Sequence, residues 1–336
     1  MNFASLPYPY NANHQPRRAG FEFEMAVITP QTCATLICDI FGGTLSSVHS
    51  LEYHIKDSCI GDFTVELDAK PIKNIVAQLE NANAGDNGSD WATFKQQISE
   101  WIGQTAGTLV PVEIVSPPMP IEQFNKLDTL IERLREHHAE GTRARWTNAF
   151  GMHVNIEIAS DDAIYLCNIL RAFLLLYPWL KHVMKVDISR RVLTYIDPFP
   201  KEYAMLVLRP EYQPDMLTFR NDYIAHNPTR SRALDFLPLL SHILPDTIDS
   251  LPEDMQDMVK SRPAFHYRLP NCDVDNANWS IATDWNYWVR LEQLAGDSGK
   301  RASMMKRYVQ MYDEHLYVAD DAWLSVLQDE FGYEKG

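Results

Sequence analysis

A chain of 336 residues, 46% hydrophobic, 11% aromatic and 22% charged, has a globular profile long enough for one large core or two intimate lobes, and this excludes disordered, collagen-like and coiled-coil classes. A formal net charge of −15, with a pI near 5.1, excludes nucleic acid as the main partner, because phosphate binding needs a concentrated basic surface. Cys33, Cys38, Cys59, Cys167 and Cys272 are scattered and form no CxxC pair, which argues against a zinc site or disulfide framework and fits a reducing compartment.

Residues 1–19 lack an apolar signal core, and their prolines and asparagines predict a flexible N-terminal arm; the default location is cytoplasmic. Thr29-Pro30 opens a helix as an N-cap followed by proline should, and Gly42-Gly43 ends it. Leu51–Lys56 and Asp62–Asp68 read as the strands of a hairpin turned at Gly61. Trp91, Phe94, Ile98 and Trp101 have helical spacing, Leu109–Val115 reads as a strand, and Ile121, Phe124, Leu127, Ile131 and Leu134 mark an amphipathic helix. Arg145–Ile158 is a long strand. The apolar stretch Ile164–Leu180 is interrupted by Asn168, Arg171 and Pro178, so it reads as a buried helix, and no membrane partner is expected. Helical pattern then continues, with one strand returning near 264–269. Residues 20–336 therefore read as a single domain, strand-rich over 20–158 and helix-rich over 159–336, in the α+β class with a mainly antiparallel sheet.

Alternate residues of a strand face opposite ways. Phe21, Phe23 and Met25 thus oppose Glu22 and Glu24; Phe63, Val65 and Leu67 oppose Thr64, Glu66 and Asp68; Val112 and Ile114 oppose Glu113. Met152, Val154 and Ile156 oppose His153, Asn155 and Glu157, and Phe265, Tyr267 and Leu269 oppose His266 and Arg268. Alternation alone is what any sheet with one wet face gives. Crowding Glu22, Glu24, Glu66, Glu113 and Glu157 onto polar faces is different, because like charges opposite one another destabilise a sheet unless protons or cations intervene. Carboxylates with one or two imidazoles suit Mg²⁺ or Mn²⁺. No GxxxxGK[ST] or GxGxxG loop occurs, so a bound nucleotide would be held by metals and arginines, of which Arg230, Arg262 and Arg268 are candidates.

Several segments resemble a known family. Gly20-Phe21-Glu22-Phe23-Glu24 looks like the opening Glu-x-Glu strand of amidoligases related to glutamine synthetase and γ-glutamylcysteine synthetase. Glu113-Ile114-Val115-Ser116-Pro117-Pro118 is similar to their Glu-hydrophobic-Val-Ser-Pro segment, and Asn148–Asn155 to the strand carrying their metal-binding histidine. His266-Tyr267-Arg268-Leu269-Pro270 looks like their late Glu-x-Arg strand, with histidine in place of glutamate, and Asp222–Leu240 and Arg262–Asp275 resemble the bacterial amidoligase branch. The resemblance spans about residues 20–295 in the family's order.

It implies a glutamine synthetase-like catalytic domain with a curved antiparallel sheet forming a funnel and helices packed outside. It also implies ATP with two or more Mg²⁺ or Mn²⁺ ions: one metal between Glu24, Glu66 and Glu113, a second among Glu22, His153 and His266, and Arg268 near the transferred phosphate. Glu157 or Asp68 would accept the amine proton. The implied activity is ATP-dependent joining of a small-molecule or peptide carboxylate to an amine through an acyl phosphate. The alternatives are a guanidino kinase-type phosphotransferase and a non-catalytic binding module of the same fold.

Overall fold

The computed structural model describes residues 2–67, 111–143, 150–186, 196–315 and 318–334. The helix expected around Trp91–Trp101, the proton-acceptor candidate Asp68 and residues 145–149 of the long strand lie outside them. The strands are β1 (Arg18–Met25), β2 (Thr44–His49), β3 (Glu52–Ser58), β4 (Gly61–Leu67), β5 (Val112–Val115), β6 (Met119–Pro120), β7 (Met152–Glu157), β8 (Leu234–Asp235) and β9 (Ala264–Tyr267). The helices are α1 (Pro30–Phe41), α2 (Lys126–Glu136), α3 (Ala163–Val183), α4 (Lys201–Leu208), α5 (Met216–His226), α6 (Leu237–Ile243), α7 (Glu253–Gln256), α8 (Ile281–Gly296), α9 (Ser298–His315) and α10 (Asp320–Asp329).

The strands are hydrogen-bonded in the order β2-β3-β4-β5-β1-β7-β9-β8, with β6 pairing β1 beside this path. The pairs β1–β5, β2–β3, β3–β4, β4–β5, β7–β9 and β8–β9 are antiparallel, as the sequence predicts. The expected funnel is not found. The path ends at β2 and at β8, the sheet is not closed on itself, and it is not strongly curled. Closure into a barrel or funnel needs staggered strands that return to pair with the first, and no such pair joins β8 to β2 among the described residues.

The chain forms two compact units. Residues 20–153 and 271–279 make a strand-rich unit; residues 1–19, 154–270 and 280–336 make a helix-rich one, with β1 and β7 each contributing residues to both.

In the strand-rich unit, Thr29 caps α1 by accepting from the Thr32 N–H at 3.1 Å, and Gly42 (φ 69°) and Gly43 (φ 100°) end the helix. A Cβ on Gly43 would lie 2.7 Å from the Lys56 carbonyl oxygen, so glycine is required there. The apolar face of α1 (Cys33, Ala34, Leu36, Ile37 and Phe41) packs on β3, β4 and β5. Between Ile55 and Ser58 the β3–β4 register shifts by one at a bulge. There Asp57 adopts φ 57° and its N–H donates to Asp62 Oδ1 at 3.0 Å.

The helix-rich unit is organised around α3. Asp162 caps it, accepting from Tyr165 N–H at 2.9 Å. Its length and composition would allow a membrane span, but 67% of its most apolar window is buried inside the protein. Arg171, midway along it, is buried and donates from Nε to the Val207 carbonyl at 2.9 Å and from Nη2 to the Tyr212 carbonyl, so its polar cost is met locally. α4, α8, α9 and α10 pack on α3.

Candidate metal centre

Strand parity gathers candidate metal-ligating side chains in the strand-rich unit. Phe21, Phe23 and Met25 are fully buried on one face of β1, with the Phe21 ring edge-on to Phe124 at 5.0 Å, and this fixes the opposite direction for Glu22 and Glu24. Phe63, Val65, Val112 and Ile114 do the same for Glu66 on β4 and Glu113 on β5. Register then aligns the carboxylates. Glu24 is opposite Glu113, and Glu113 is opposite Glu66, so adjacent strands present glutamates in one row.

His153 on β7 closes one end of that row. Its Nδ1 lies 2.9 Å from Glu22 Oε2, and its Nε2 lies 3.6 Å from Glu24 Oε1. A carboxylate accepts only, so Nδ1 carries the proton and donates to Glu22. Nε2 is the ring nitrogen turned toward Glu24. Glu24 itself is held rigidly, because its Oε2 accepts the Gly151 N–H at 2.7 Å while its own backbone N–H donates to the Gly151 carbonyl at 3.1 Å.

Ligand atoms of Glu24, Glu113 and His153 all lie within 4.8 Å of one another, a spacing that fits one divalent cation. The donor set suits a hard or borderline ion, and the Nδ1–H···carboxylate bond is the usual way a ligating imidazole is oriented. In the same unit, burial first, then the charges of Asp273 and Glu24, push the thiol of Cys272 well above its ordinary range.

The family model described as "Putative amidoligase enzyme" matches residues 15–290. The chain belongs to the amidoligase family. No curated protein matches it. Amidoligase membership supports an enzymatic, ligase-type role in general terms and agrees with small-molecule carboxylate and amine substrates, and the Glu24–Glu113–His153 group supports divalent metal coordination.

The amidoligase row is longer than the sequence reading found. Glu52 on β3 is opposite Glu66, so the glutamates run in register over four adjacent strands. Glu52 Oε1 lies 3.0 Å from His54 Nε2, and its Oε2 lies 3.6 Å from His49 Nε2. The turn alone gives the wrong partner: continued from the Ser58–Gly61 pair without a bulge, the hairpin would set Tyr53 opposite Glu66.

Other expected site residues of the amidoligase belong to the helix-rich unit. His266 is buried on β9, opposite Asn155 and Asp235. Its Nδ1 lies 2.9 Å from both Asn155 Oδ1 and Arg262 Nη2; it either donates to the amide oxygen or accepts from the guanidinium, not both. Arg230 donates from Nε to Asp235 Oδ2 at 2.7 Å and from Nη1 to the Met258 carbonyl, and Arg268 donates from Nη1 to the Arg230 carbonyl at 2.5 Å. Arg230, Arg262, Arg268 and His266 thus form one linked group.

Glu157 is engaged elsewhere. Its Oε1 accepts from Asn11 Nδ2 at 2.8 Å and its Oε2 from the Arg18 N–H at 2.9 Å, so its carboxylate ties β7 to the N-terminal segment.

Proposed function

We propose that this amidoligase couples ATP cleavage to amide-bond formation between a carboxylate and an amine, using Mg²⁺ or Mn²⁺ held by Glu24, Glu113 and His153. One observation carries this reading: the imidazole of His153 is fixed through Nδ1 by Glu22, with Nε2 turned toward Glu24 within a cation's reach of Glu113. Glu22 is then the orienting carboxylate for the ligand histidine, Glu66 extends the row for a further ion, and His266 serves as a ligand only in the tautomer that donates Nδ1–H to Asn155.

The chemistry needs such a site. An amine does not displace oxide from a carboxylate, so a carboxylate oxygen first attacks the γ-phosphorus, releasing ADP and forming an acyl phosphate. The amine nitrogen then attacks the acyl carbon, expelling phosphate and losing a proton to a base. A bound divalent cation supplies charge neutralisation for the phosphate oxygens. The arginines contribute the same sign of charge: Arg268 and Arg230, braced by backbone carbonyls, and Arg262 would neutralise phosphate without having to reorganise.

The test is ADP release across a panel of carboxylates and amines with Mg²⁺ or Mn²⁺. Release that requires both organic substrates and the metal, with phosphate and amide as co-products, supports the reading. A stable phosphorylated product formed without an amine would overturn it in favour of a phosphotransferase. Calorimetric titration with Mg²⁺ in the absence of ATP tests the metal site alone.

A further inference from the structure

Arg230 is held at both ends. Its backbone carbonyl accepts from Arg268 Nη1 at 2.5 Å, and its loop is tied down by neighbouring side chains: the Ser231 N–H donates to Thr229 Oγ1 at 3.1 Å, and Arg232 Nε to Asn227 Oδ1 at 2.9 Å. The Arg230 guanidinium donates from Nε to Asp235 Oδ2 at 2.7 Å and from Nη1 to the Met258 carbonyl. Nε and Nη1 are thereby engaged, and among the described residues no hydrogen bond uses Nη2. The side chain is 21% exposed, so Nη2 is the nitrogen left for an acceptor from outside the protein.

Asp235 is the anchor of this arrangement. It is fully buried on β8, and its Oδ1 accepts the Leu237 N–H at 2.9 Å at the start of α6. A buried ion pair adds little stability that apolar side chains of the same volume would not supply. What this pair does supply is direction. An arginine side chain is long and flexible while its fork is rigid, so pinning Nε to a carboxylate that is itself anchored fixes where Nη2 points.

We propose that Asp235 is a positioning residue for Arg230, presenting Nη2 to a phosphate oxygen of the bound nucleotide. The inference rests on the reading above, in which ATP binds and Arg230 neutralises phosphate. Neutralising charge without reorganisation requires a cation aimed before the ligand arrives, and Asp235 with the Met258 carbonyl sets that aim. Lysine at this position could supply the charge but not the geometry, because it is a point charge on a flexible stem with no planar fork to be held by one nitrogen while another stays open.

The experiment follows the Arg230 Nε–H by NMR in the full chain without nucleotide, and measures Mg·ATP binding by calorimetry in the wild type, Asp235→Asn and Arg230→Ala. Arg230→Ala is then titrated again with millimolar guanidinium or methylammonium added. Asp235→Asn keeps the size of the side chain and an acceptor for the Leu237 N–H, and chemical denaturation checks that it is folded. The expected result is an Nε–H protected from exchange in the wild type and unprotected in Asp235→Asn, whose Mg·ATP affinity falls at least about tenfold. Guanidinium, and not methylammonium, should restore part of the affinity lost in Arg230→Ala. A folded Asp235→Asn that binds Mg·ATP as the wild type does would overturn the positioning role and leave Arg230 at the phosphate. Equal rescue by the two cations would overturn it as well, since charge alone would then suffice, and this comparison holds even where Asp235→Asn does not fold. Wild-type affinity in Arg230→Ala would instead overturn the phosphate reading of Arg230 on which the proposal rests.

Discussion

Two groups of sequestered charge in this molecule are built on opposite plans. In the helix-rich unit every carboxylate of the group is matched by donors. Glu292, fully buried, takes both Arg17 guanidinium nitrogens at 2.8 and 2.9 Å and the Trp288 indole N–H at 2.9 Å, and Asp235 takes Arg230 Nε and the Leu237 N–H. In the strand-rich unit glutamates face glutamates on four adjacent strands, and an imidazole nitrogen lies 3.6 Å from a carboxylate oxygen. The first plan is complete in itself and holds the chain together. The second sets like charges opposite one another across the strands, an arrangement that a bound cation would relieve.

That contrast makes measurable claims. Arg17 is the clearest strut. Burial opposes its charge, yet Glu292, with smaller contributions from Tyr165 and Glu157, more than compensates and raises its pKa above the ordinary arginine range. Arg17→Met should leave Glu292 buried without its partner and cost about 3–5 kcal/mol in chemical denaturation, while the affinity for Mg²⁺ stays at the wild-type value. Unchanged stability would show that the pair is not what closes this region.

At the glutamate row the signs reverse. Glu24→Gln and His153→Ala should each reduce ADP release by at least about 100-fold, since even residues that only orient a metal ligand cost 10–100-fold when removed. In metal-free buffer the thermal unfolding of Glu24→Gln should be unchanged or improved, because it relieves a like-charge contact. Either variant retaining wild-type turnover would sink the metal assignment. Glu22→Gln is the finer probe: about a 10–100-fold loss in metal affinity, partly recovered at high Mg²⁺, is expected of a carboxylate that orients His153. A loss that no concentration of metal recovers would make Glu22 a ligand itself.

How much of this the sequence disclosed follows from which rules are local. Strand parity depends only on neighbours along the chain, so the faces of Glu22, Glu24, Glu66, Glu113 and His153 were legible, and their alternation with fully buried Phe21, Phe23, Val65 and Ile114 is as expected. Register depends on turn geometry. The bulge at Asp57, stabilised by the left-handed conformation that aspartate tolerates and by the bond to Asp62, brings Glu52 opposite Glu66, and nothing in the alternation announces it. Sheet curvature depends on strand stagger and closure across the whole sheet, so the funnel implied by family resemblance was beyond the reach of any local pattern, and the sheet is open. Long-range polar partners were likewise invisible: no sequence rule pairs Asn11 with Glu157, 146 positions away.

Glu157 gives the smallest effect and the sharpest test of the boundary between the two plans. It lies on the same strand and the same parity as His153, so sequence alone made it a candidate proton acceptor. Its carboxylate oxygens instead accept from Asn11 and from the Arg18 backbone, as a strut's would. Glu157→Gln preserves size and one acceptor, and should cost only about 1 kcal/mol in stability, the net value of a hydrogen bond, with turnover per folded molecule unchanged. Measured together, denaturation and ADP release separate the readings: a stability loss without a rate loss keeps Glu157 with Arg17 and Glu292. A rate loss at unchanged stability would return it to catalysis, and would mean that a carboxylate satisfied by its neighbours in the free protein must release them when substrate binds.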